Sequence, residues 1–165
     1  MSAQPAPANL PPVEPETPAD AGQVTALVDS AFGPGRHAKT AERLRETSSP
    51  ACGLVVRHDG RVIGSVRLWR IRVGETRALF LGPIAVDATE RRAGLGAALV
   101  EASLECAARE GVAGVLLVGD LPFFGRFGFL ELSGAAMPGP VDPRRLLWRP
   151  ISVEAPAGAV IGLRD

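Results

Sequence analysis

Apolar residues recur at Val24, Leu27, Val28 and Ala31, the spacing of one face of an α-helix. Thr17 or Asp20 can cap its start, and "FGPG" ends it. A shorter helical stretch, "AKTAERLRET", is stopped by Ser48, Ser49 and Pro50. The period then shortens. "CGLVVRHDGRVIGSVRLWRIRV" predicts two strands joined at Asp59-Gly60, a dipeptide that tolerates the positive φ angles of a tight hairpin turn. Gly74 and Glu75 predict a second turn and "TRALFLGPIAV" a third strand, which makes the middle of the chain an antiparallel meander. Gly82-Pro83 predicts an interruption in that strand, because proline cannot donate to a ladder and glycine inside a strand marks a bulge.

From about Arg92 to Glu110 the pattern is helical again. Leu95, Leu99, Ala102 and Cys106 form one stripe, Glu101, Glu105 and Arg109 lie off it, and Gly111 supplies a stop. "AGVLLVG" follows, a continuous apolar run of the kind found in strands covered on both faces. Strand, helix and buried strand in that order predict a right-handed crossover with the two strands parallel. "LPFFGRFGFLEL" predicts a helical turn and another strand, and "LLWRPISV" with "GAVIGL" one or two closing strands. The expected class is therefore α/β (α+β), with a mixed, mostly antiparallel sheet around a central crossover helix. Residues 1–12 are rich in Pro and Ala and are expected to be disordered, leaving 13–165 as a single domain.

Charge and composition narrow the function. The chain has 165 residues, with 18 Lys and Arg against 18 Asp and Glu, so no global field draws it to nucleic acid or an anionic membrane. No apolar run is long enough to span a bilayer, and the N-terminus has no signal-peptide pattern, so a soluble cytoplasmic protein is expected. Cys52 and Cys106 are far apart with no Cys-x-x-Cys spacing and read as two separate, buried or half-buried thiols. His37 and His58 have no partner at metal-ligand spacing, so no metal is expected.

The chemistry concentrates in "VDATERRAGLGAALV", residues 86–100, where two arginines and two glycines sit between a strand and a helix. A helix start carries unpaired N–H groups and partial positive charge, which suits a phosphate. Gly94 and Gly96 remove the Cβ atoms that would shield those amides, and Arg91 and Arg92 add guanidinium groups able to pair with phosphate oxygens. A solvated, purely structural turn is the alternative at these residues. Two other phosphate motifs are excluded: there is no G-x-x-x-x-G-K-[ST], and Leu99 stands where a dinucleotide fingerprint needs its third glycine.

"LGPIAVDATERRAGLGAALVEASLECAAREG" followed by "LLVGDLPFFGRFGF" resembles the GCN5-related N-acetyltransferase (GNAT) superfamily, specifically its small bacterial acetyltransferases. The likeness runs from about Val13 to the tail. It implies the GNAT fold, with the central sheet splayed between the strands that flank the crossover helix. It also implies that Arg91, Arg92, Ala93, Gly94, Leu95 and Gly96 bind the pyrophosphate of acetyl-CoA, and that the pantetheine arm pairs with the main chain of Ile84, Ala85 and Val86. By the same resemblance a substrate amine attacks the thioester directly, with the N–H of Val86 or its neighbour stabilising the carbonyl oxygen.

Holding a lysine-like amine of pKa about 10.4 neutral at pH 7 costs about 4.6 kcal/mol, so a general base is expected. Asp120, at the end of the buried strand, is the candidate, with Glu75 behind it. The sequence departs from the family at Phe124, where many relatives carry the tyrosine that protonates the leaving sulfur; the chain contains no tyrosine. The expected function is an acetyl-CoA-dependent N-acetyltransferase, and the alternative is a catalytically impaired acyl-CoA-binding module. The acceptor is an amine of a small molecule or protein, read by residues about 18–50 and by "SGAAMPGPVDPRR", where Arg36, Lys39, Arg43 and Arg45 suggest at most tolerance for an acidic group. A monomer or homodimer is expected, with Trp69 and Trp148 suited equally to a core or an interface.

Overall fold

The computed structural model describes residues 10–33, 35, 39–90 and 94–164. Its sheet begins with a short strand the pattern did not predict, β1 (Val13–Pro15), followed by α1 (Ala21–Phe32) and α2 (Thr40–Glu46). The meander is β2 (Pro50–His58), β3 (Arg61–Val73) and β4 (Thr76–Val86), with turns at Asp59-Gly60 and Gly74-Glu75 as the sequence indicated. The central helix α3 (Leu95–Glu110), β5 (Gly114–Val118) and a single turn, α4 (Leu121–Phe124), come next. The chain closes with β6 (Leu130–Glu131), β7 (Ala135–Ala136), β8 (Leu146–Pro150) and β9 (Gly158–Gly162).

The strand order is β1-β2-β3-β4-β5-β8-β6, with β9 pairing β3 and β7. Pairing is antiparallel except between β4 and β5 and between β7 and β9. The β4–α3–β5 crossover is the parallel unit the strand–helix–strand pattern predicts.

Side-chain alternation sorts the core onto the two faces of the sheet. Leu79, Leu81, Val115 and Leu117 pack with Leu95 and Leu99 of α3. Their neighbours Phe80 and Leu116 face the other way, toward Leu44 of α2 and Trp148. Farther along that second face, Val24, Leu27 and Val28 of α1 cover Ala85, Val55 and Val62. Three of the four residues of the helical stripe read from the sequence therefore form the surface that α1 buries, whereas Ala31, a turn further on, is exposed. Trp148 belongs to the core: it is 1% exposed, and its Nε1–H donates to the Val153 carbonyl at 2.9 Å.

The entry to α1 is clamped. Asp20 accepts from the Thr17 N–H at 2.7 Å and from Arg57 of β2 at 2.5 Å. The Arg57 guanidinium and the Thr17 amide hold its carboxyl well below the usual carboxylate range. Arg57 also reaches Glu14 of β1, so one side chain ties the first strand, the first helix and the meander together.

The expectation of two separate thiols is corrected. Cys52 of β2 and Cys106 of α3 are joined in a disulfide, with Cα atoms 6.9 Å apart and 54 residues of separation. Sequence spacing could not indicate this, because it depends on α3 lying back across β2. Cross-linking a loop of this length is expected to contribute about 4 kcal/mol through the entropy of the unfolded chain. Urea unfolding with and without dithiothreitol checks this: reduction should lower the midpoint, and Cys52→Ser should abolish the difference.

Candidate functional site

β4 and β5 run side by side for only two residue pairs, Leu79↔Val115 and Phe80↔Leu116. Beyond them β4 continues to Val86, whereas β5, whose other edge pairs β8 from Gly114 to Val118, ends two residues further on. A cleft opens between the two strands, and among the described residues the far half of β4 has no strand beside its outer edge.

The Gly82-Pro83 dipeptide sets the character of that edge. The structure corrects the expected interruption to a bulge in a continuous strand: Val66 pairs Ile84 and Leu68 pairs Leu81, so two residues of β4 oppose Arg67 alone. One extra residue inverts the alternation. Before the bulge the odd-numbered Leu79 and Leu81 face α3; after it Ile84 and Val86 do, and Ala85 turns to α1. Trp69 pins the bulge by donating its Nε1–H to the Gly82 carbonyl at 2.6 Å.

The hydrogen-bond phase follows from the register. Asp87 donates its N–H to the Ile63 carbonyl at 2.8 Å, which makes that couple a bonded pair of the antiparallel ladder. Pairs alternate, so Ala85 bonds Ser65, whereas Val86 opposite Gly64 and Ile84 opposite Val66 are non-bonded pairs. The main-chain groups of Ile84 and Val86 thus point away from β3, toward the open edge. Those of Ala85 are engaged with β3.

From Val86 the chain turns through Asp87, whose Oδ1 accepts from the N–H and hydroxyl of Thr89 at 2.8 and 2.7 Å. These bonds from Thr89, with Arg61 at 2.6 Å from Oδ2, lower the Asp87 carboxyl below its ordinary value. The turn leads toward α3. Arg91, Arg92 and Ala93, expected to hold the pyrophosphate, lie outside the described residues. Gly94 caps the helix at φ 93° and ψ −1°, a left-handed conformation that favours glycine. The Ala98 N–H donates to the Gly94 carbonyl at 2.9 Å, so the amides of Leu95, Gly96 and Ala97 precede the first intrahelical bond. A Cβ on Gly96 would lie 3.5 Å from the Phe123 ring. Leu95 is 1% exposed, its side chain given wholly to the core.

The cleft floor is apolar. Phe80, Leu81 and Ile84 of β4, Val118 of β5 and Phe124 line it. Phe124 is 8% exposed and sits edge-on to Phe123 and Phe129, with ring centroids 4.9 and 5.7 Å away. Asp120 lines the cleft where β5 ends, its side chain exposed and 3.3 Å from Arg145 Nε. Glu75, the second candidate base, stands fully exposed in the β3–β4 turn beside Arg72 and is not among the cleft-lining residues. Both expected specificity segments reach the cleft: Phe32, Lys39 and Arg45 from the first, Arg145 from the second. Among the described residues no cluster of His, Cys, Asp and Glu is arranged to hold a metal, and no helix is long and apolar enough to cross a membrane.

An open sheet parted beside a crossover helix, with a bulged strand lending free amides to the gap, is the framework of an acyltransferase fold. The chain belongs to the Acetyltransferase (GNAT) family, whose sequence model matches residues 23–129. It is 36% identical over 117 residues to the uncharacterized N-acetyltransferase YhbS of Escherichia coli, covering 69% of this chain and 70% of that one. The crystal structure of Escherichia coli YhbS in complex with CoA matches 98% of this chain and 94% of its own, with TM-score 0.78 and 28% identity. An acetyltransferase from Brucella melitensis, solved in complex with acetyl-CoA, shares the fold at TM-score 0.71 and 23% identity, over 90% of this chain and 93% of that one.

Proposed function

We propose that this protein is an acetyl-CoA-dependent N-acetyltransferase, moving an acetyl group onto a primary amine by direct attack. The observation that carries the reading is the edge of β4 left without a strand among the described residues, where Ile84 and Val86 turn their main-chain groups away from β3 and Ile84 lines an apolar cleft. The start of α3 fits the diphosphate: a left-handed glycine cap and amides ahead of the first helical bond leave the backbone open to an anion. Arg91 and Arg92 precede that cap in sequence and supply the pairing charge. The CoA complex of the similar YhbS supports the same ligand.

Bound acetyl-CoA supplies a thioester carbonyl that a neutral amine can attack. Val86, nearer the start of α3 where the diphosphate lies, offers its N–H and C=O to the amides of the pantetheine arm. Ile84 rather than the expected Val86, farther from α3 and lining the cleft with Asp120, donates its N–H to the acyl oxygen as negative charge develops there. Asp120 accepts the amine proton, directly or through water, and Arg145 steadies the carboxylate. Phe124 presents an apolar wall and no proton to the departing sulfur, which a thiol of pKa about 8.5 tolerates.

The same ring favours a second reading, an acyl-CoA-binding module without turnover. Incubation with acetyl-CoA and a panel of amines, followed by free thiol and product mass, decides between them. Thiol release matched by an acetylated amine is the expected result. Tight CoA binding with no release would establish the module, and no CoA binding would overturn both.

A further inference from the structure

Four charged side chains line the cleft between β4 and β5, and the balance there is not that of the chain. Lys39, Arg45 and Arg145 line it against Asp120 as the only carboxylate among the described lining residues, in a protein whose positive and negative side chains are equal in number. Arg45 is structural in part. Its side chain is 11% exposed, pairs with Glu42 at 2.9 Å, lies 6.0 Å from the Phe80 ring centre and approaches the bulge at Gly82. Lys39 is exposed at the mouth, and Arg145 is half exposed beside Asp120. Near them Phe32, at the end of α1, is 44% exposed although it is a large apolar side chain. A cleft with an apolar floor, an uncovered phenylalanine at its mouth and a local cationic excess complements a ligand carrying both an apolar body and an anion.

We infer that the acceptor is a small amine bearing a carboxylate next to an apolar side chain, the chemistry of an apolar α-amino acid. Lys39 and Arg145 receive the carboxylate, Phe32 and the β4 floor take the side chain, and the amino group lies toward Asp120. This rests on the acetyl-transfer reading and deepens it, since a protein lysine or a simple alkylamine would bring no anion to Lys39 and Arg145 at the mouth. In the transfer, the amine nitrogen bonds the acetyl carbon, the carbon–sulfur bond breaks, Asp120 takes the amine proton, and CoA departs as thiolate.

The test compares L-phenylalanine, L-phenylalaninamide and phenethylamine with the full chain. Thiol release from acetyl-CoA gives kcat/KM, and calorimetry on the CoA complex gives binding. L-Phenylalanine should exceed the amide by about tenfold or more, as expected for one charge-assisted hydrogen bond. Lys39→Ala should raise KM for the acid severalfold and leave that for the amide within about twofold. Equal or better use of the amide or the amine overturns the inference while leaving acetyl transfer intact, as does a CoA complex that neither binds nor acetylates any of the three. Failure to bind CoA sinks the acetyl-transfer reading itself.

Discussion

Ile84→Pro is expected to lower kcat by about 10²–10³, the usual cost of removing one oxyanion donor, while CoA binding stays within about tenfold of the parent. Ile84 faces Val66 in a non-bonded pair, so its N–H is not used by the β3 ladder and proline deletes a donor that the fold does not need. Ala85→Pro is the matched control. It removes an N–H bonded to β3 one position away, and urea unfolding should show a stability loss that exceeds that of Ile84→Pro. Rates are measured by thiol release and folding by circular dichroism. An unchanged kcat in a folded Ile84→Pro protein would remove Ile84 from the reaction.

Gly94→Val should weaken CoA binding by about 100-fold, equivalent to about 2.8 kcal/mol. At φ 93° a Cβ strains the backbone, by roughly 1–2 kcal/mol for an L-residue in the left-handed region. A β-branched side chain also shields the amides that the diphosphate must reach. Gly111 caps the other end of the same helix at φ 73°, with open space around it. Gly111→Val therefore carries comparable strain with no route to the ligand, and it should lower the melting temperature without changing affinity by calorimetry. Equal affinity losses in the two variants would mean that only helix strain is being read.

The parts of this site that were legible in the sequence are those set by neighbours a few residues apart. Asp59-Gly60 requires positive φ, the stripe through Leu95, Leu99 and Cys106 has a helix period, and Gly94 and Gly96 mark an amide-rich turn whatever surrounds them. Gly82-Pro83 announced a disturbance, but a bulge and a break look alike in one strand. Only the pairing with Arg67 of β3 distinguishes them. β1 escaped notice because three residues that follow two prolines and end on a third carry no period, and they form a strand only because β2 offers an edge.

The cleft's charge was illegible for a related reason. Lys39, Arg45, Asp120 and Arg145 are scattered over more than a hundred positions and look solvated one by one. The Cys52–Cys106 bond likewise joins residues with nothing in common locally.

By itself, then, the amino-acid order determined the elements, their turns and the helix start suited to an anion, because backbone preference and side-chain period act over one or two turns of chain. Tertiary structure alone decided which amides of β4 stay unpaired, which cations meet at the mouth and which cysteines join. Those outcomes depend on strand register and on how helices cross the sheet, and both are settled by packing between segments that the chain keeps far apart.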